Sequence, residues 1–485
     1  MTETETRRDV SQIPSRPDFV SLLQQSGRFE QAEGEIIINS INARMELVER
    51  EYGENPLLAR VATIMTGAID YARACALKLQ PERVDEHGDA LTVGDVTTKR
   101  DIEIYRRVVE VLDSTGMKFV MRGEIEAKLT KTDGEWEIED LRADSTGKKI
   151  TSSGTSNCPE GEADWVFVID PLDGSVNETQ GKKSGTVLAC AKYGGKLKMR
   201  DLEIGVVADY LAGRNGNERG TQRCVGVRGL GARLLRAREI ERITLPEPSP
   251  LDEVPTFGAY TKFPWQEEQQ KLLARVVSEV LGQKQQRSTD ATAACSVAVA
   301  TGEFRTHCDA REATKLWDTI ASWVVINEVT GLKMTDLFGF SFDEAVLYDP
   351  ANEKYAKDGG INRAIGKHFV IGREEDNLAI TRGYCEAIFF GLRASLLPAK
   401  RLEYWHDAGE IFARILEHRI DMAEEDYGII TRSDVERFVC IVRDFYCRDF
   451  KPLADTGRPE VVIPYQGGLR VFDQITGDRI KRIKG

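Results

Sequence analysis

Histidine is scarce in this chain, five in 485 residues, and none recurs at the spacing of metal ligands. Zinc hydrolase chemistry, which leans on imidazole nitrogens, is therefore not expected. The nine cysteines show no paired short spacing, which speaks against a zinc site or disulfide frame and for free thiols in a reducing compartment. No apolar run approaches the length of a membrane span, and the polar stretch 1–17 lacks the apolar core of a signal peptide. The expectation is a cytoplasmic protein with no membrane partner. A basic surplus is missing as well: 66 Lys and Arg against 79 Asp and Glu leave a net charge of −13. An extended nucleic-acid surface is not expected from that balance. Neither a Gly-x-Ser-x-Gly elbow, a Walker loop nor a Cys-based phosphatase signature occurs. Gly226-x-x-Gly229-x-Gly231 imitates a nucleotide loop, but its surroundings read as a hairpin.

What is present describes a soluble globular protein, 41% hydrophobic and 30% charged, long enough for two to four domains. Its most informative stretch is Trp165-Val166-Phe167-Val168-Ile169-Asp170-Pro171-Leu172-Asp173-Gly174, followed by Ser175. The apolar, β-branched run reads as a buried strand that delivers two carboxylates into a Pro/Gly turn. Such a turn can aim Asp170, the Leu172 carbonyl and Asp173 at one point, and carboxylate and carbonyl oxygens are the ligands Mg²⁺ prefers. Taken alone, the same residues also read as a solvated turn or a helix N-cap.

Further landmarks flank this run in order. Upstream come Asp95-Val96-Thr97-Thr98-Lys99-Arg100-Asp101, an amphipathic stretch from Ile102 to Leu112, and Val120-Met121-Arg122-Gly123-Glu124. Downstream come Arg287-Ser288-Thr289 before a small-residue helix, Leu316-Trp317-Asp318-Thr319-Ile320-Ala321, and Glu328-Val329-Thr330-Gly331. Together they resemble the signatures of the inositol monophosphatase and fructose-1,6-bisphosphatase superfamily, Mg²⁺-dependent and lithium-sensitive phosphatases. The resemblance covers roughly residues 56–372.

The resemblance implies an α+β / α/β fold, a layered α-β-α-β-α sandwich phosphatase core with the active site between its halves. It implies two or three Mg²⁺ ions held by Glu124, Asp170, the Leu172 carbonyl, Asp173 and Asp318. Asp101 and Ser175, with Glu124 nearby, would orient the attacking water, and the backbone amides of Gly174 and Ser175 would bind the substrate phosphate. Asn177 matches an Asn common in the inositol/fructose phosphatase branch and favours a sugar or cyclitol phosphate. Three positions depart from the pattern. Ile125 stands where the family usually has a second acidic residue, and Asp290 where the substrate wall usually has a small one. Arg311 replaces a Glu common in inositol-selective members; it reads either as a donor to a second phosphate or carboxylate or as an exposed loop charge. A homodimer is implied by analogy.

The leading expectation is thus a Mg²⁺-dependent phosphomonoesterase acting on a small phosphorylated sugar or cyclitol, an inositol monophosphate or sugar bisphosphate. A 3′(2′),5′-bisphosphate nucleotidase and a degenerate phosphatase acting as a regulatory or scaffold protein are the alternatives. Along the chain, residues 1–55 read as a disordered start plus a helical extension, with Phe19 to Tyr52 forming one or two helices. Residues 56–225 form the metal-binding half, opened by a long helix from Leu57 to Leu79, and the polar segment from Thr130 to Asp164 reads as an inserted hairpin or lid. Residues 226–375 form the second half. Residues 376–485 read as a mainly helical appendage with short terminal strands, either partner-binding or simply packed on the core.

Overall fold

In the segment Leu57 to Leu79, apolar residues recur at helical spacing, and the computed structural model forms helix α3 (Pro56–Leu77) there. It describes residues 12–79, 99–123, 127–132, 135–140, 153–174, 183–211, 222–236, 238–245, 254–257, 264–282, 286–287, 291–310, 314–337, 339, 341–343, 345–352, 355, 360–362, 369–381, 383–384, 460–465, 468–473 and 479–484. Helix α3 begins where local chemistry favours a start: the Asn55 side chain accepts the Leu58 N–H, and Pro56 occupies the first turn, where no amide is needed. Before it lie α1 (Phe19–Ser26), capped by the Asp18 carboxylate, and α2 (Gln31–Glu51). After it comes α4 (Lys99–Ser114). No described helix is long and apolar enough to cross a membrane.

Helices α3 and α4 cover one face of an eight-stranded sheet. Its strands are β1 (Phe119–Gly123), β4 (Ser153–Ser156), β5 (Trp165–Asp173), β6 (Lys183–Lys192), β8 (Leu202–Leu211), β9 (Gln222–Val227), β10 (Gly231–Arg236) and β11 (Glu239–Arg242), in the order β11-β10-β9-β8-β6-β5-β1-β4. β1 and β5 are parallel and the other neighbours antiparallel. The expected boundary at residues 225/226 falls inside β9, which pairs with β8 and β10 in this same sheet. Gly229 and Gly231 take left-handed φ values in the β9–β10 hairpin, so this glycine run forms a turn. Between β1 and β4 the polar segment forms an antiparallel hairpin of β2 (Ala127–Thr132) and β3 (Glu135–Asp140), with Trp136 buried in the α3/α4 core.

The opposite face of this sheet carries α6 (Thr292–Ala300) and α7 (Leu316–Asn327). These helices also touch a second sheet, ordered β13-β12-β14-β17-β15, of β12 (Val254–Phe257), β13 (Gln286–Arg287), β14 (Phe304–Asp309), β15 (Leu332–Thr335) and β17 (Phe369–Arg373). Helix α5 (Pro264–Leu281) packs on β12 and β14 and completes the α-β-α-β-α layering. β7 (Leu197–Lys198) pairs with β16 (Val346–Tyr348) and ties the two halves together.

Two glycines set how closely α7 approaches the first sheet. A Cβ on Gly205 would lie 2.5 Å from the Ala321 carbonyl oxygen, and one on Gly226 would lie 2.8 Å from the Val325 Cα. Helix backbone therefore rests directly on strand backbone, which any side chain would prevent. On the α3 side, Asp70 holds Arg223 of β9 at 2.6 Å and also pairs with Arg44 of α2, anchoring the N-terminal helices to the sheet. The Tyr52 hydroxyl donates to the Val225 carbonyl at 2.6 Å.

The C-terminal appendage is described at its end as an antiparallel sheet of β18 (Glu460–Tyr465), β19 (Gly468–Asp473) and β20 (Arg479–Lys484). The helices expected up to Asp449 lie, beyond residue 384, outside the described residues. All six described cysteines, Cys75, Cys158, Cys190, Cys224, Cys295 and Cys308, are free thiols.

Candidate metal centre

Asp170 and Asp173 are three residues apart, a spacing that on a regular strand sends side chains to opposite faces. The ladder with β6 shows how they come to share one. Asp170 pairs with Val187 and Asp173 with Gly185, so Pro171 and Leu172 together oppose the single residue Thr186. This is a β-bulge, and its extra residue reverses the alternation beyond it. Trp165, Phe167 and Ile169 enter the core under α3 and α4, while Val166 and Val168 face the other core; after the bulge, Leu172 joins the first set. Asp173 returns to the face of Asp170. The two carboxylates thus belong to the strand itself, and the expected turn begins only at Gly174, whose φ of 82° is left-handed. Proline suits the bulge because it has no N–H to lose from the ladder.

Each carboxylate is held by a backbone amide. Asp170 Oδ1 accepts the Leu172 N–H at 3.0 Å. Asp173 Oδ2 accepts the Ala293 N–H at 2.6 Å, at the first turn of α6. Asp318, in the first turn of α7, accepts the Lys315 N–H through Oδ2 at 3.0 Å. Lys315 holds the N-cap position of this helix, Asp318 closes back onto its amide from the third helical position, and one carboxylate oxygen remains for another task. That task is visible in the geometry: one ligand oxygen from each of Asp170, Asp173 and Asp318 lies within 4.8 Å of the others.

Burial, and then the negative charge of Asp173, push the Asp318 carboxyl well above the usual carboxylate range, while the Lys315 charge and N–H oppose the shift. Crowded, part-desolvated carboxylates repel one another unless a cation or proton intervenes. Among the described residues, three oxygen donors converge with no nitrogen or sulfur ligand, a set that fits a hard divalent cation such as Mg²⁺. Ser184, fully buried one residue before the Gly185 that pairs with Asp173, has no hydrogen-bond partner among the described residues.

Asp101 is buried in the first turn of α4. Its position relative to the cluster follows from Tyr105, one turn later: a Cβ on Gly123 would lie 2.9 Å from the Tyr105 ring and 2.7 Å from the Ile169 side chain. Helix α4 thus passes, at Tyr105, over the end of β1, which pairs there with Ile169, the residue before Asp170. Glu124 follows β1 directly but lies outside the described residues, as do Ser175, Asn177, Ile125, Asp290 and Arg311. Of the proposed metal ligands, the structure brings together Asp170, Asp173 and Asp318, with Leu172 in the bulge between the first two. Sequence reasoning missed Thr186, Ala293 and Lys315. The latter two act through backbone amides, which no residue type reveals, and Thr186 sits in an ordinary alternating strand pattern.

The sequence model of the inositol monophosphatase family matches residues 83–368. No curated protein matches the chain. Among solved structures, Leishmania major fructose-1,6-bisphosphatase in holo form aligns at 13% identity, covering 66% of this chain and 93% of its own, with a TM-score of 0.41. A hypothetical Pyrococcus horikoshii protein with similarities to inositol-1 monophosphatase aligns at 18% identity, covering 61% and 87%, with a TM-score of 0.36. A Toxoplasma gondii protein assigned as a sedoheptulose-1,7 bisphosphatase aligns at 12% identity, covering 69% and 97%, with a TM-score of 0.44. At these scores the structural likenesses carry no argument about substrate. The family match spans more than half of the 485 residues and includes Asp170, Asp173 and Asp318, and the chain belongs to the inositol monophosphatase family.

Proposed function

We propose that this chain is a Mg²⁺-dependent phosphomonoesterase that hydrolyses a small phosphorylated sugar or cyclitol by attack of water. The observation that carries the reading is the convergence of Asp170, Asp173 and Asp318 on one point from two sequence-distant elements. Three carboxylates packed this closely are destabilising in isolation and become useful when they hold cations. Divalent ions, when bound, supply charge neutralisation at the phosphoryl group and its leaving oxygen.

The remaining tasks fall to the chain. Gly174, with its left-handed backbone, ends the strand immediately after Asp173, so the amides of Gly174 and Ser175 are candidates to receive the substrate phosphate beside the cluster. Asp101, held in the first turn of α4, is a candidate to orient the attacking water, with Ser175 and Glu124 as the partners that the family resemblance implies. The Ala293 and Lys315 amides fix Asp173 and Asp318 before substrate arrives, so little reorganisation is needed at the reacting centre. By the family resemblance, Asn177, Asp290 and Arg311 are candidates for contact with the substrate.

Phosphate release by the purified protein, with Mg²⁺, with EDTA and with added Li⁺, tests the reading. Inositol-1-phosphate, fructose-1,6-bisphosphate and adenosine-3′,5′-bisphosphate serve as substrates. Metal-dependent, lithium-inhibited turnover of one of the first two is expected. Preference for the adenosine compound would move the protein to the nucleotidase branch, and absence of turnover on all three would reject the phosphomonoesterase reading for these substrate classes.

A further inference from the structure

We infer that Thr186 is a positioning residue for the metal centre, holding the bulge that puts Asp170 and Asp173 on one face; the inference rests on the metal-site reading given above. Its observation is a single contact: the fully buried Thr186 hydroxyl donates to the Pro171 carbonyl at 2.7 Å. Thr186 is the one residue of β6 that the two bulge residues oppose. On its other side it keeps regular pairing with Ala208 of β8. The backbone of β6 is therefore committed to the ladder, and its side chain rather than its main chain reaches the displaced strand. A buried carbonyl without a donor is destabilising, so the hydroxyl favours the bulged register over alternatives.

The alternative register has a definite consequence. If Pro171 and Leu172 were drawn into a regular ladder, the side chains beyond them would exchange faces. Asp173 would turn toward the α3/α4 core, away from Ala293 and Asp318. The Leu172 carbonyl would move with it. Thr186 thus touches neither metal nor substrate, and acts through the main chain of the strand that carries both ligands.

The test uses the full chain, with Mn²⁺ titrated by EPR and thermal unfolding measured on the same samples. Thr186→Val removes the donor at nearly constant volume and is expected to weaken Mn²⁺ binding about 5- to 10-fold, the equivalent of one buried hydrogen bond. Thr186→Ser restores the hydroxyl and is expected to bind within about twofold of the parent, because the same bond can form. In turnover, the valine variant should require more Mg²⁺ for half-activation while keeping the parent KM at saturating Mg²⁺. A merely structural threonine would lower Tm and leave the Mn²⁺ affinity of the folded protein unchanged, and that result overturns the inference. Should the valine variant not fold, Thr186→Ala replaces it with the same two outcomes. Absence of Mn²⁺ binding by the parent protein would reject the metal reading itself, whereas parent binding matched by the valine or alanine variant would reject only the role of Thr186.

Discussion

Asp173 of the first sheet accepts the backbone N–H of Ala293 at 2.6 Å, so a strand residue caps a helix that lies between the two sheets. Helix α6 has no capping side chain of its own, since Ala291 occupies its N-cap. The exposed amides and the partial positive charge of that helix end attract the carboxylate, and the carboxylate satisfies an amide that would otherwise lack a partner. One side chain thereby joins the two halves of the molecule and points into the cluster with Asp170 and Asp318.

Asp170→Asn keeps the size of the side chain and an oxygen for the Leu172 N–H, but removes the charge at the centre of the cluster. Phosphate release in saturating Mg²⁺ is expected to fall by roughly 100-fold or more, with an unchanged far-UV CD spectrum. Substantial residual turnover would refute the role of Asp170 as a metal ligand.

The pH dependence of the metal-free protein follows from Asp318. Its carboxyl is raised above the unfolded value of 3.8. Below that value both states are protonated and the group is neutral in its effect; as pH climbs toward the folded pKa, the unfolded state gains from ionising first and the fold loses stability. Thermal melts in EDTA should therefore show Tm falling between about pH 4 and neutrality. Asp318→Asn, which keeps the acceptor for Lys315, should flatten that fall and raise the neutral-pH Tm by roughly 2–4 °C for each kcal/mol relieved. Mg²⁺ should restore Tm in the parent and not in the variant. Equal pH slopes for the two proteins would contradict the strained state of Asp318.

Gly205→Ala tests the close seating of α7. The added methyl would meet the Ala321 carbonyl oxygen at 2.5 Å and the Val324 Cβ at 2.8 Å. Helix α7 must then shift, carrying Asp318 with it. A loss of about 1–3 kcal/mol in urea unfolding is expected, together with weaker Mn²⁺ binding; a stability loss with unaltered binding would show that Asp318 follows the cluster rather than its helix.

Asp70→Ala should leave the metal centre alone and damage the fold. Asp70 is buried between Arg44 and Arg223, and its removal takes the carboxylate away from a guanidinium that is nearly inaccessible to water. Breaking such a pair from one side costs about 3–5 kcal/mol. Urea midpoints should show it, while Mn²⁺ affinity of the folded protein stays near that of the parent.

Much of the fold was legible in local patterns. The apolar stripe from Leu58 to Ala72 marked α3, the β-branched run from Trp165 to Ile169 marked β5, and the small-residue run after Ala291 marked α6. Helical and strand periods are local properties of the chain, written every three to four or every two residues. The boundary placed at residues 225/226 shows where this local view stops. Hairpins continue the first sheet through β9, β10 and β11, and only pairing decides which sheet a strand extends.

The candidate site divides in the same way. By itself the sequence determined which residues have the right chemistry, because carboxylates at Asp170, Asp173 and Asp318 and the order of their motifs are covalent facts. Only the tertiary structure decided that these three oxygens meet. A spacing of three on a strand separates side chains until a bulge against Thr186 reunites them, and that bulge exists only in the ladder with β6. Asp318 arrives from a distant helix because Gly205 and Gly226 let α7 rest on the sheet. Alternation and helix seating are relations between segments, set by hydrogen bonding and close packing across space, and no single stretch of residues contains them.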